Sequence, residues 1–502
     1  MRILFDTNIL ILRENNHIVP ENLAQMMNLI NGLEKTSTWV HTLSINEIEK
    51  DGNIERKKIN LSKVKGYAVL ETYPDYNNDE NFKGLLPIPL SSNDIVDNQL
   101  LYCVVKNVVD YLITEDQGLL NKAEKLGIEQ VLNINEAISL FQKFYINTDI
   151  NLLPTFKQKK GYEINLQDEI FGTLTHDYED FVNWWNTKVS RRDLFVYEND
   201  NKINAILIPK IEENENIDCH PCLYRDRIMK ICTFKVSEHS RGLKLGERLL
   251  RMSFDYARRN NIDEIYLTHY RQESDYLIPL IENFGFYKYG INQKGEEVYL
   301  KRIIPKDDII LPKNVDEIVD FNRKFYPAFY DGELVKKHLI PIRPNFHKRL
   351  FPDFVGADHQ LTLLTMEYSE GNSIKKAYIC NSNTRLINKG DIVLFYQTHD
   401  RKAITTIGTV ESVHYGLQDA EQIFKLIAKR TVFNIEEIRK CCNSDVTVIL
   451  FNQNFNLEHE VEYQTLENNN IVNGYIQSIT NIDDDKYREI IKDNINERFI
   501  IH

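Results

Sequence analysis

Cysteine is scarce. The chain has 7 in 502 residues, an odd and scattered set. A small secreted domain stapled by disulfides is thereby excluded, and reduced thiols in a cytoplasmic protein are expected. Long apolar runs are missing as well, so no segment reads as a membrane-spanning helix, and no membrane partner is expected. The opening Met1-Arg-Ile-Leu-Phe-Asp6 places an acid inside its apolar run, which does not fit a signal peptide. Nor is there an excess of positive charge. With 61 Lys and Arg against 74 Asp and Glu, the formal net charge is −13, which argues against indiscriminate nucleic-acid binding but leaves room for local basic surfaces. What is present is globular: 42% hydrophobic and 27% charged residues, over a length that suggests about three domains.

The stretch from Ile228 to Tyr289 organises the rest. Ile228 to Val236 is rich in β-forming residues. Ser237 to Gly246 breaks the run with Gly242 and Gly246, and Glu247 to Arg259 then carries Leu249, Leu250, Phe254 and Ala257 near helical spacing. Glu264 to Tyr270 reads as a second strand, and a further helix closes at Asn283-Phe-Gly-Phe286. A loop that runs into a helix N-terminus offers free N–H groups and the positive end of the helix dipole, which suits a pyrophosphate. Upstream, Leu152 to Gly161 reads as a linker, Asp177 to Thr187 as a helix, and Leu194 to Ile208 as a hairpin.

In the first segment, Ile3 to Leu12 is a buried-strand pattern interrupted by Asp6-Thr7-Asn8. A carboxylate at the end of an apolar strand is costly unless something pairs with it. Ser44 with Glu47 reads as a helix start, Asp94 and Asp97 open another helix, and Val108 to Asp116 is a strand ending in acids. In an α/β sheet such strand ends share one edge, where ligands bind. Asp6, Glu47, Asp97 and Asp116 are expected to meet there around Mg²⁺ or Mn²⁺, which would serve phosphodiester hydrolysis. Taken singly, each acid is better read as a cap or turn residue.

These residues resemble the PIN-domain nucleases. The matches are Phe5-Asp6-Thr7-Asn8, Ser44 to Glu47, Asp94-Ile-Val-Asp97 and Tyr111-Leu-Ile-Thr-Glu-Asp116. The resemblance implies an α/β/α sheet over residues 1–148 and a catalytic, metal-holding set of Asp6, Glu47, Asp97 and Asp116. Asp94 or Glu115 is implied as an accessory, and Glu49 competes with Glu47.

The middle stretch resembles the GNAT acetyltransferases, with a splayed α/β sheet over residues 160–304. Arg241-Gly-Leu-Lys-Leu-Gly246 looks like the acetyl-CoA pyrophosphate loop after Val236, and Asn283 to Phe286 like the usual Gly-Phe close. The resemblance implies acetyl-CoA contacts from Val236, Arg241, Gly242, Leu243, Lys244, Leu245 and Gly246, with Gly246 kept small by the ligand. Two positions depart from the pattern: Lys244 stands where glycine is usual, and Ile281 where a general-acid tyrosine is usual. Tyr270 or Tyr276 is the candidate replacement, and Glu238 or His239 the candidate base. Cys219-His-Pro-Cys222 has no second ligand pair and reads as two loop thiols rather than a zinc site.

Asp307 to Asn322 reads as a connector rich in acids and proline. Beyond it, Lys336 to Arg349 has no acid, and short strands with Gly turns suggest a β-barrel with added helices over residues 334–490. Ile342-Arg-Pro344, Lys389-Gly-Asp391 through Tyr396 and Ile407-Gly-Thr-Val410 resemble the PUA-like superfamily, in its ASCH and EVE branches. The resemblance implies RNA binding, with Arg343, Lys348, Arg349 and Lys376 on phosphates and Tyr396 stacked on a base. A buried Tyr396 and a merely solvated basic face is the plain alternative.

The sequence reading is thus an α/β multidomain protein: an RNA-directed enzyme, with tRNA as a candidate substrate, joining metal-dependent cleavage to acetyl-CoA-dependent acetyl transfer. A toxin- or defence-like role would suit these parts by fold analogy. An acetyltransferase with a silent PIN scaffold and a non-catalytic sensor are the alternatives.

Overall fold

The computed structural model describes the chain apart from residues 15–19, 34–35, 51–56, 58–60, 62–63, 65–66, 145–155, 179, 200–201, 238–243, 272–276, 307–308, 353, 355–372, 383 and 428–429. It divides into two compact units: Met1–Asp149 with Asp419–Lys429 and Asn434–Ile438, and the remainder.

Unit 1 is built on five short strands: β1 (Arg2–Phe5), β2 (Ser37–His41), β3 (Ala68–Leu70), β4 (Tyr111–Ile113) and β5 (Val131–Leu132). They pair in the order β3-β2-β1-β4-β5, all parallel. Parallel sheets are covered on both faces, so their strands are continuously apolar. Ile3, Leu4, Phe5, Leu112 and Ile113 accordingly have no exposed surface. Helices Thr7–Glu14, Thr42–Glu49 and Gln117–Lys125 follow directly on β1, β2 and β4. Residues that end those strands therefore gather at one sheet edge. The late segment 419–429 joins this unit through Lys425, whose ammonium lies 2.5 Å from Asp110.

Unit 2 holds two larger sheets. The first has seven strands: β6 (Phe156–Lys160), β7 (Asp193–Asn199), β8 (Lys202–Ile217), β9 (Leu223–Val236), β10 (Glu264–His269), β11 (Tyr287–Ile291) and β12 (Glu297–Arg302). Their order is β11-β12-β10-β9-β8-β7-β6, and only β9 and β10 run parallel. Residues 156–160, expected within a linker, form the edge strand, held by pairing with β7 and by the ion pairs Lys159–Glu198 and Lys160–Asp193.

The second region contains β13 (Phe329–Tyr330), β14 (Lys337–Ile342), β15 (Lys375–Cys380), β16 (Ile392–Gln397), β17 (Ala403–Leu417), β18 (Val446–Glu462), β19 (Thr480–Ile482) and β20 (Ile500–Ile501). Six of them form a sheet in the order β15-β18-β17-β16-β14-β19, and β13 pairs with β20. The expected barrel is seen as this six-stranded sheet, and among the described residues its end strands β15 and β19 do not pair with each other. Four register shifts along β17 and β18 curl it. Gly408 lies at one of them, where a Cβ would meet the Asn452 carbonyl oxygen at 2.6 Å.

The acid-rich connector is corrected by the structure. Asn314 caps a helix, Val315–Phe325, whose acids Asp316 and Glu317 sit in the first turn, where the helix dipole favours them. Its other face, with Ile318, Phe321 and Phe325, belongs to one apolar core. That core also holds Leu249 and Phe254 beside the seven-stranded sheet and Leu394 and Ile407 from the six-stranded one. The two sheets of unit 2 thus share a core through this helix.

Candidate functional site

In unit 2 the strands part at a defined place. β9 pairs with β10 only from Met229, Lys230 and Ile231 to Ile265, Tyr266 and Leu267. Beyond that point β9 runs on to Val236 beside β8, and β10 runs on to His269 beside β12. The register of β8 and β9 slips at the same level, Ile208 facing Thr233 and Pro209 facing Ile231, so Cys232 is the extra residue of a bulge. A bulge bends its strand, and here it turns β9 away from β10. The parted ends frame a slot.

Beside the slot runs the helix Leu245–Arg259, strongly amphipathic, with Leu245, Leu249, Leu250, Phe254 and Ala257 in the core. Its first-turn N–H groups have no acceptor within the helix. Lys244 precedes it with φ 55° and ψ 22°, in the left-handed region. That conformation explains why glycine would be at home here: a side chain costs about 1 kcal/mol or more there. The Lys244 ammonium lies 3.5 Å from Glu247, and Glu247 also accepts the Ile374 N–H at 3.0 Å.

Several expected cofactor contacts change role. Arg241, Gly242 and Leu243 lie outside the described residues, as do Glu238, His239 and Tyr276. Val236 ends β9, half-buried and opposite Ala205. Leu245 is 1% exposed and faces the core, leaving only its backbone toward a ligand. A Cβ on Gly246 would meet the Leu280 side chain at 2.8 Å, so packing against the helix Leu277–Glu282 is a second reason for a small residue here. Ile281 is fully buried, so the usual acid position is a core position in this chain. Tyr270 is half-exposed just past β10; its hydroxyl donates to the Lys294 carbonyl at 3.2 Å.

In unit 1, Asp6 is buried at the end of β1. It accepts the Thr7 N–H at 2.6 Å, the Asn8 amide at 2.7 Å and the Thr114 hydroxyl at 2.6 Å. Burial nevertheless pushes its carboxyl up to about 7, with Asp97 and Asp116 adding repulsion. Burial also raises Asp97, to about 6, while Lys122 pulls it down and Asp116 pushes it up. Asp6, Asp97 and Asp116 therefore do feel one another. Some of the oxygens of this group also bond to the protein. Asp116 caps the helix Gln117–Lys125, and Asp94 forms a capping box with Ser91. Glu47 accepts the Thr7 hydroxyl at 2.6 Å, and Glu115 accepts the Ile134 N–H at 2.8 Å.

Lys122 is the residue that sequence reasoning missed. Its ammonium lies 3.4 Å from Asp97, 3.6 Å from Asp94 and 3.0 Å from the Asn98 side-chain oxygen. Among the described residues no group of three or more His, Cys, Asp or Glu side chains is gathered to hold a metal. The carboxylates have the donor chemistry of a Mg²⁺ or Mn²⁺ site, and in this arrangement Lys122 supplies positive charge beside Asp97. Cys219 and Cys222 also turn apart, toward the Pro221 carbonyl and Asn216.

Of the expected RNA contacts, Arg343 is exposed at the start of the helix Pro344–Leu350, and Lys348 and Arg349 are half-buried on it. Arg349 lies over the Phe346 ring at 4.8 Å. Lys376 is fully buried and Tyr396 is 4% exposed in the core, so neither meets a ligand at the surface. Tyr396 follows the inward alternation of a strand buried on both faces.

Residues 160–286 match the family model of the acetyltransferase (GNAT) family. This part of the chain is a GNAT acetyltransferase domain, and acetyl-CoA is the cofactor of that class. Among solved structures, the chain is similar to ASCH from Zymomonas mobilis, at 12% identity over 32% of this chain and 97% of that one, with a TM-score of 0.25. It is also similar to a GNAT family acetyltransferase from Elizabethkingia anophelis with acetyl-CoA bound, at 12% identity over 30% and 98%, TM-score 0.22. Ard1 from Thermoplasma volcanium gives 16% identity over 30% and 95%, TM-score 0.22. No curated protein matches the chain. Among the described residues no helix is long and apolar enough to cross a membrane.

Proposed function

We propose that unit 2 transfers the acetyl group of acetyl-CoA to an amine, with the thioester in the slot between β9 and β10. The parting of these strands at the Cys232 bulge, beside the N-terminus of the Leu245–Arg259 helix, carries the reading. Pyrophosphate would take the first-turn N–H groups, with Lys244 adding charge. The amine nitrogen attacks the thioester carbon, the C–N bond forms, the C–S bond breaks, and the proton lost by the amine ends on the CoA sulfur. Tyr270, at the end of β10, is the candidate to deliver a proton to that sulfur. Calorimetry with acetyl-CoA and a thiol-release assay with candidate amines test this. We expect micromolar-range binding, and slower release by Tyr270→Phe at unchanged acetyl-CoA affinity. No binding at millimolar acetyl-CoA would refute the reading.

A second reading, for unit 1 taken by itself, is an RNA-cleaving site of the PIN type; separately, in unit 2, Arg343, Lys348 and Arg349 are the candidate phosphate contacts for RNA. It is favoured by Asp6, Asp97 and Asp116, which repel one another. It is opposed by Lys122, and under the opposing view unit 1 is a scaffold without nuclease activity. RNA cleavage in Mn²⁺ that disappears in Asp97→Asn would establish it; equal cleavage by that variant would remove it.

A further inference from the structure

The seven-stranded sheet has a second face, and that face carries charge. Ala205, Leu207, Met229, Ile231, Ile265 and Leu267 point to the Leu245–Arg259 helix. Alternation sends their neighbours the other way. On that side two apolar clusters form, one around Val196, Ile206 and Ile208, the other around Ile228, Tyr266 and Val298. Between them lies a polar row. Lys210 on β8 faces Lys230 on β9 directly. Cys232 follows two residues later, about 7 Å along the strand, and Arg192 reaches its sulfur at 3.6 Å.

The charges of this row do not balance. Lys210 pairs with Glu212 at 2.6 Å, and Glu212 also accepts the Tyr266 hydroxyl at 2.5 Å. Lys230 lies over the Tyr266 ring at 5.5 Å. Among the described residues neither Lys230 nor Arg192 has a carboxylate within ion-pair distance, though both are half-buried. Three cations therefore face one carboxylate. Like charges placed directly across a strand pair repel, and half-buried cations without a carboxylate partner are costly. The row ends at Cys232, the residue where β9 leaves β10. Its thiol is raised by burial, pulled down by Lys230 and Arg192, pushed up by Glu212 and pulled down by Lys210.

The position gives the row a use. On the helix side of the slot Leu245, Leu249 and Ile231 belong to the packed core. An amine must approach from the other face, past the cations. We propose that Lys230 and Arg192, with Lys210 behind them, bind an anionic group on the acceptor, so that the preferred substrate is an amine that also carries a carboxylate or a phosphate. This deepens the acetyltransferase reading and rests on it for the word acceptor, but the anion site is read separately by binding.

The test uses the full chain and two matched pairs: β-alanine with β-alaninamide, and phosphoethanolamine with ethanolamine. Calorimetry gives binding, and thiol release gives turnover with acetyl-CoA. In one pair the acidic member is expected to bind at least about tenfold better than the neutral one. The pair that shows the difference tells carboxylate from phosphate. Lys230→Met and Arg192→Met, which keep an apolar stem, should each cut that preference severalfold by raising KM, with kcat and acetyl-CoA affinity retained. Lys486→Met, elsewhere in unit 2, controls for net charge and should keep the preference. Equal binding within both pairs, including no binding of any member, overturns the proposal. An undiminished preference in the doubly substituted Lys230→Met, Arg192→Met protein overturns it too. Loss of acetyl-CoA binding alone would sink the acetyltransferase reading and leave the anion preference measurable.

Discussion

Replacing Asp6 by asparagine should change the stability of the protein in opposite directions at low and high pH. Asp6 is buried at the end of β1, and its carboxyl is pushed from 3.8 up to about 7. In the unfolded chain it ionises near its ordinary value. Its folded form therefore binds a proton more tightly than its unfolded form. The protonated state keeps full stability below about pH 4, and stability falls as pH rises toward 7. The gap corresponds to about 4 kcal/mol at about 1.4 kcal/mol per pH unit, as an upper bound for one coupled group. Asparagine has no charge to desolvate, but its amide nitrogen would face donors. Asp6 accepts from Thr7, Asn8 and Thr114, and the two bonds to one oxygen come from Asn8 and Thr114. The Thr114 hydroxyl can turn and accept, whereas the Asn8 amide cannot, so one donor is lost at about 1–3 kcal/mol. Asp6→Asn should thus be less stable than the parent below about pH 4 by roughly 1–3 kcal/mol, and more stable near pH 8.5 by roughly 1–3 kcal/mol. Urea denaturation at the two pH values, without divalent ions, measures both. A difference of the same sign at both would refute the burial argument, as would a parent protein equally stable at both.

Two further outcomes separate roles that the structure has redistributed. Lys244→Ala and Lys244→Gly both remove the ammonium beside Glu247, but only glycine relaxes the left-handed backbone. Lys244→Gly should therefore be the more stable of the two by about 0.5–1 kcal/mol, after the extra freedom of unfolded glycine is deducted. Matched denaturation midpoints would contradict the φ of 55° at this residue. For RNA, the combined Arg343→Ala, Lys348→Ala, Arg349→Ala protein should lower the salt slope of binding by about one for each lost phosphate contact, whereas Tyr396→Phe should leave it unchanged. A slope unmoved by the triple change would leave these charges merely solvated.

Much of the secondary structure was legible along the chain because local pattern suffices for it. The apolar run Ile3 to Phe5 is a buried strand as read, whereas Ile9 to Leu12, read as part of the same strand pattern, lie in the helix Thr7–Glu14. The spacing of Leu249, Leu250, Phe254 and Ala257 names a helix and its buried face. The sequence of strand, loop, helix and strand around Gly246 was enough to mark the acetyltransferase domain, because such a unit has few ways to fold. The charge and proline of residues 307–322 misled, since the buried side of the Val315–Phe325 helix is defined by a core assembled from distant strands.

Side-chain roles at the sites depended on neighbours brought in from afar. Gly246 packs closely on Leu280, and Tyr396 is buried because both faces of its strand are covered. Lys122 meets Asp97 across 25 positions, and Lys230 faces Lys210 only through the register of β8 and β9. An acid and its distance from a cation are not properties of spacing along the chain. The sequence by itself determined which segments are strands and helices and which chemical groups stand at their ends. The tertiary structure decided which of those groups meet, because desolvation and charge pairing act through space.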